Sequence, residues 1–252
     1  MSFNRYKASG LHFCGSLCVA LIAAALVFLL WYPEALAGIS GVSGIFLLML
    51  GVDAILGPCI TLLIFSPGKK PMREIRRDLA IVLCVQLAAL SFGMYTVFAA
   101  RPVFLVYSEG GSFEVTHAND LTAEKLARGR EPQFRTLPQW GPKLAALDVP
   151  KDPKIRQGIM TSLITGEDRL AFIPQAYVAY ERRKPDVIKH LKPLEALRPF
   201  NKARGAELDA LIRKYASRQV GWLPMQGKNG YLAVVIARDS AEILEVSTFL
   251  PL

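Results

Sequence analysis

The feature that most constrains this chain is an apolar run from about Ile45 to Phe65 that carries an acid near its middle. About 21 such residues suffice to cross a bilayer core as one helix. Inside the run stand Asp53, Pro58 and the glycines Gly51 and Gly57. A carboxylate at the centre of a membrane helix costs about 2.5–3.5 kcal/mol on insertion scales. Pro58 cannot donate its backbone bond, so the Ala54 carbonyl needs another partner. Both demands point to a helix packed among others. Asp53, Gly57 and Thr61 recur every four residues and stack on one face; Gly51, Ala54 and Pro58 lie beside them. Small residues let backbones approach, and a hydroxyl can bond across the gap. Two readings stand: a helix-packing seam with one satisfied acid, or a face on which Asp53 meets a functional partner or cavity.

Two further apolar runs flank this one, from Leu11 to Tyr32 and from Leu79 to Ala100. The first ends in Trp31-Tyr32-Pro33, where aromatics suit the headgroup level and the proline stops the helix. A signal peptide is the rival reading of that run. It is long for a signal, however, and bulky aromatics stand where a cleavage site wants small residues. The expectation is three retained spans, about 11–32, 45–65 and 79–100. The loop Pro33–Ser43 has Glu34 and no Lys or Arg, whereas Ser66–Asp78 carries Lys69, Lys70, Arg73, Arg76 and Arg77. Pro71 can open the third helix, with Glu74 in its first turn. Positive-inside reasoning puts the N-terminus and the Lys69–Arg77 loop in the cytoplasm, and everything after Arg101 on the other side. In a bacterium that side is the periplasm.

Depth then limits what Asp53 can meet. It lies about eight residues, or about 12 Å, from the outer end of its span. At that depth the third span offers Ser91, with Tyr95 about a turn further out and Gln86 deeper. No Lys or Arg lies within any span, and His12 is near the cytoplasmic end. Asp53 is therefore neutral, hydrogen-bonded to groups such as Ser91 or Tyr95, or waiting for a partner.

Mean hydropathy of +0.30 combined with a formal charge of +9 argues for segregation of apolar spans from a basic soluble part. Seven of the 30 Lys/Arg and four of the 21 Asp/Glu fall in residues 1–100, so the remainder carries +6 of the +9. Such a part beside a membrane suits acidic lipid or an acidic protein face. No basic run with interleaved aromatics points to nucleic acid. All four cysteines (Cys14, Cys18, Cys59, Cys84) lie in apolar spans, which leaves the soluble part without a disulfide framework; they read as buried small hydrophobes.

Residues 1–101 thus form a three-helix transmembrane region and residues 102–252 a soluble α+β domain. In the latter, Val103–Tyr107 and Phe113–Thr116 flank a Gly110-Gly111 turn and read as a hairpin. Asp120 or Thr122 caps a short helix to about Arg128, and residues 130–153 read as an irregular connection. Helices are expected at 154–165, 186–197 and 204–217, and strands at 220–223, 231–237 and 243–249. Trp140 and Trp222 read as core or interface anchors, and Arg182-Arg183-Lys184 as a solvated helix boundary.

Enzymatic chemistry finds little support. Gly51-Val52-Asp53 approaches the Gly-x-Gly-Asp motif of intramembrane aspartyl proteolysis, which needs two carboxylates sharing a proton. The other acid close to a span is Asp78, far below Asp53 in depth. His117 and His190 have no metal-ligand spacing, and no nucleophile elbow surrounds any serine. No catalytic residue, cofactor or metal is expected.

Several stretches together carry a resemblance. They are Trp31-Tyr32-Pro33, then Gly51-Val52-Asp53-x-x-Leu56-Gly57-Pro58-x-x-Thr61-Leu62-x-x-Phe65, then Arg76-Arg77-Asp78-Leu79-Ala80, Gln86–Leu90 and Arg101-Pro102-Val103. In this order, over roughly residues 5–105, the chain resembles the TfpX/TfpZ-type type IV pilin accessory proteins; Phe92 stands where that pattern has a tyrosine. The resemblance implies an inner-membrane protein that stabilises a cognate type IV pilin or aids its assembly. It implies no catalytic residues and no cofactor. A periplasmic ligand sensor is the alternative, although the cytoplasmic pieces are too short to hold an output module.

Overall fold

A computed structural model describes residues 4–33, 35–66 and 70–251; Glu34 and the 67–69 part of the basic loop lie outside the described residues. The chain divides into two units, residues 1–30 with 42–99, and residues 31–41 with 100–252.

The first unit is helical. Helix α1 (Arg5–Ala25) begins at Asn4, whose side-chain oxygen accepts from the Lys7 amide at 3.0 Å, and it continues as a π-helical turn over Leu26–Trp31. A short α2 (Leu36–Ile39) belongs to the second unit. Then come α3 (Val42–Ile64) and α4 (Met72–Ala99). Three helices, Arg5–Trp31, α3 and α4, are long and apolar enough to cross a membrane. The first and third begin several residues before the expected spans, because helical hydrogen bonding continues through polar residues once the ladder is started. The extension of α4 carries Asp78, paired with Lys70 at 3.4 Å and Arg77 at 3.3 Å.

Helix α3 packs against both α1 and α4. Its buried residues are Phe46, Leu50, Gly57, Pro58 and Thr61, so the small-residue seam faces inward and Pro58 is accommodated within the helix. Phe28 meets Phe46 edge to face at 5.7 Å. Ala8, Phe65 and Ile75 gather near the ends of the same three helices. The four cysteines, expected to be buried, instead sit on exposed faces. The outward positions of these helices are as apolar as the inward ones, as Leu47, Leu63, Ile81 and Val85 show. Apolar character alone therefore could not place the thiols.

The second unit is built on a seven-stranded sheet of order β4-β3-β1-β2-β5-β6-β7. The strands are β1 (Pro102–Ser108), β2 (Ser112–His117), β3 (Lys143–Leu147), β4 (Tyr177–Ala179), β5 (Val220–Gly227), β6 (Gly230–Ala237) and β7 (Ile243–Ser247). The expected hairpin is β1/β2, turned at Gly111 with φ 73°. β1 pairs β3 in parallel and β2 pairs β5 in parallel, while the remaining pairs are antiparallel. Thr122 caps α5 (Ala123–Ala127), and Asp152 caps α6 (Pro153–Thr165), which stops at Gly166 with φ 73°. α7 (Lys184–His190) and α8 (Gly205–Lys214) follow.

Three expectations are corrected here. The 130–153 connection is not irregular throughout, since it contains β3, buried next to the central strand. The expected 186–197 helix stops at His190, because Lys192 exchanges backbone bonds with Trp222 at 3.1 and 2.8 Å and Pro193 follows. Trp140, read as a core or interface anchor, is 64% exposed, which removes the core half of that reading and leaves the interface half, whereas Trp222 is buried and donates from Nε1 to the Pro193 carbonyl at 2.9 Å.

The sheet buries both faces. One cluster gathers Tyr107, Phe113, Met225 and Ile236; the other gathers Phe104, Phe134, Tyr177 and Ile159. β1 contributes to both and is buried almost throughout, as a central strand should be. Into the first cluster go Leu36 and Ile39, from what the sequence presents as a bare loop. The segment is fastened by the Asn229 amide, which donates to the Ile39 carbonyl at 2.9 Å, and by Ser40 Oγ, 3.0 Å from His117 Nε2.

Candidate functional site

Three polar side chains meet inside the helical unit, one from each of the long apolar helices. Gln86 Nε2 of α4 donates to the Asp53 carbonyl of α3 at 3.0 Å. A carbonyl can only accept, which fixes the orientation of the Gln86 amide and turns its Oε1 toward His12 Nε2 at 3.0 Å. That nitrogen must therefore be the donor, while Nδ1 on the other side of the ring lies 2.6 Å from the Thr61 hydroxyl. Below it, Ser9 Oγ of α1 donates to the Pro58 carbonyl at 2.9 Å. Gly57 makes the arrangement possible. A Cβ there would stand 2.6 Å from Gln86 Oε1 and 2.7 Å from its Cδ.

Next to this network lies a cleft of about 250 Å³. Its α1 wall carries His12, Ser16 and Ala20, and its α4 wall carries Leu83, Leu87 and Leu90. Leu50 and Asp53 of α3 form the floor. Asp53 Oδ2 is buried and has no hydrogen-bond partner. Three grooves on the second unit are larger, about 740, 830 and 390 Å³, and the first two carry internally paired charges. In one, Arg204 binds Glu207 at 2.6 Å and Lys214 pairs with Glu245; in the other, Asp168 holds Lys125 and accepts from Ser162. The cleft in the helical unit is the one that leaves a carboxylate oxygen unsatisfied.

Of the residues singled out in the sequence, Asp53, Gly57, Pro58 and Thr61 come together on the inner side of α3, with Gly51 half-buried one turn earlier. Ser91 and Tyr95, expected to face Asp53, lie on the exposed face of α4, Tyr95 at 70% exposure. The face opposite α3 starts from Gln86, and Ser91 and Tyr95 are turned well away from it at about 100° per residue. Gln86 and His12 are the members that depth counting missed. The available signal was that each span holds one strongly hydrogen-bonding side chain in its first-loop-distal half, and such groups seek one another in an apolar medium.

The second unit has its own polar node. His117 is buried, with Nδ1 3.3 Å from Asp120 Oδ2 and its amide donating to the same oxygen at 2.8 Å. Lys228 Nζ approaches Asp120 Oδ1 at 3.1 Å. Burial alone would raise the Asp120 carboxyl, but the bonds from His117 and the Lys228 ammonium outweigh it and hold it down at about 2. His190 and Asp186 flank the Tyr107 hydroxyl at 3.2 and 3.0 Å. Among the described residues no group of three or more His, Cys, Asp or Glu is arranged to hold a metal.

The class of protein that the fold defines is one of three helices long and apolar enough to cross a membrane, followed by a mixed α+β domain. A family profile described as "Fimbrial assembly protein FimB" matches residues 2–41. The fimbrial assembly proteins of Dichelobacter nodosus serogroups E1 and I are each 28% identical over 251 residues, covering 94% of this chain and 96% of each relative. That of serogroups C1 and C2 is 36% identical over 120 residues, 48% of this chain and 90% of the relative. The chain belongs to this fimbrial assembly family, a type IV pilus accessory group. No solved structure matches it.

Proposed function

We propose that this chain is an inner-membrane accessory protein that supports a type IV pilin without catalysis, by stabilising it or aiding its assembly in a chaperone-like way. The observation that carries the reading is the alignment with relatives described as fimbrial assembly proteins, which runs through both the helical unit and the head. The three helices long and apolar enough to span a membrane fit it. So do the basic residues that border them, which by the positive-inside rule favour an N-terminus and a loop before α4 in the cytoplasm and a head in the periplasm. A non-catalytic role accords with the histidines being used within the fold: His12 joins helices, and His117 fastens Ser40. The protein's partners on this reading are the cognate pilin and the lipid bilayer, with no nucleic acid. The deciding measurement is the steady-state amount of pilin in cells lacking this chain. A severalfold fall with unchanged pilin transcript, restored by the gene in trans, is expected. Unchanged pilin and unchanged pilus number would refute the reading. Co-purification with a histidine kinase or transporter instead of a pilin would favour the sensing alternative.

A further inference from the structure

We propose that the cleft between α1 and α4 seats a membrane helix of the partner, one that brings a cation or N–H donor to the depth of Asp53. Naming that partner a pilin rests on the function proposed above; the chemistry of the cleft does not. Its walls have helical periodicity. His12, Ser16 and Ala20 on α1 and Leu83, Leu87 and Leu90 on α4 recur every three or four residues, over about two turns or 10–12 Å. Gly15, Ser16 and Ala20 keep part of the α1 wall low, which permits a close backbone approach there. This is the shape that a fourth helix fills, with α3 as its floor.

The unsatisfied acid on that floor selects the occupant. His12, Gln86 and Thr61 satisfy one another, whereas Asp53 Oδ2 is buried without a partner. Asp53 stands at the centre of α3, 11 residues from either end, about 16 Å along the axis. A lipid headgroup does not reach that depth. A second copy of this chain does not supply the donor either, because its apolar runs contain no Lys or Arg and its His12 and Gln86 N–H groups are already engaged within its own bundle. What remains is an apolar helix of another protein with a donor at its own midpoint.

The test uses the full chain in phosphatidylcholine nanodiscs, with a photo-crosslinking benzoylphenylalanine at Leu87 in the cleft or at Val85, which is 64% exposed on another face of α4. The probes are two synthetic Leu-rich helices of about 21 residues, one with lysine at its midpoint and one with leucine there. From Leu87 the lysine helix should crosslink about tenfold better than the leucine helix, the upper range for an interhelical polar contact. Asp53→Asn should abolish the difference while the far-UV circular dichroism stays unchanged, and Val85 should show no preference. Equal crosslinking of the two helices to the wild-type chain overturns the proposal, and that comparison needs no variant. A preference that survives in Asp53→Asn, or is the same from Val85, overturns it too. In cells, pilin that depends on this chain but crosslinks only through the head would sink the cleft and leave the accessory role standing. Pilin that is indifferent to the chain would sink the accessory role and leave the peptide result to judge the cleft.

Discussion

Replacing Gly57 by alanine should destabilise the helical unit although alanine is the better helix former. On propensity alone the change gains about 0.8–1 kcal/mol. The new Cβ would stand 2.6 Å from Gln86 Oε1 and 2.7 Å from Cδ, closer than carbon and these atoms tolerate. Gln86 must swing away and surrender its bonds to the Asp53 carbonyl and to His12 Nε2. Interhelical polar contacts in apolar media contribute about 0.6 kcal/mol each, up to about 1.7. A stranded His12 donor adds about 1–3 kcal/mol more. The losses exceed the propensity gain, and a net cost of about 1–3 kcal/mol results. Unfolding of the full chain in mixed micelles by dodecyl sulfate titration, followed by circular dichroism, measures it. Gln86→Ala should cost a similar amount, and the double variant no more than Gln86→Ala alone, because the clash and the bonds disappear together. A Gly57→Ala chain as stable as its parent would refute the reasoning, as would two costs that simply add within about 0.5 kcal/mol.

Gly227→Ala should loosen the attachment of α2 to the sheet, since its Cβ would meet Ile39 Cδ1 at 2.9 Å and the Ile39 carbonyl at 3.0 Å. A cost of about 1–3 kcal/mol, as for other overpacked sites, should appear in urea unfolding followed by Trp222 fluorescence. Asp120 has a depressed pKa, so its contribution is complete above about pH 4 and is lost as pH falls through about 2. Asp120→Asn should remove about 2 kcal/mol at neutral pH and flatten the acid limb of Tm against pH. Alkaline phosphatase fused after Leu252 should be active, and fused between Lys69 and Lys70 inactive; the reverse would invert the proposed orientation.

The sequence was most legible where one physical demand acts alone. Apolar length located the long helices, and the four-residue recurrence of Asp53, Gly57 and Thr61 located the inward face of α3. Local chemistry also sufficed for α6, capped by Asp152 and stopped by Gly166. What stayed hidden depends on residues distant in sequence. β3 is Lys143-Leu-Ala-Ala-Leu147, poor in β-formers, and is a strand only because β1 and β4 flank it. Rotation was the other blind spot. Depth counting set Ser91 and Tyr95 level with Asp53, but on helices apolar all round, depth does not say which side faces inward. Gln86 settles that question, through a bond to a backbone carbonyl that no side-chain pattern displays.

The docking of Leu36 and Ile39 into the head has a consequence for the order of biogenesis. The head is not one continuous stretch of chain: a first piece emerges from the ribosome before α3 and α4, and the rest after them. Its apolar cluster cannot close until the intervening helices have been made and have returned the chain to the place where the early piece waits. Each missing aliphatic side chain withholds about 1.5–3 kcal/mol of burial. A fragment begun at Pro102 would therefore display a bare patch where Leu36 and Ile39 belong, and so would a chain whose second and third long helices had gone astray. The core of the head is thus complete only when a piece made early and a piece made late have met.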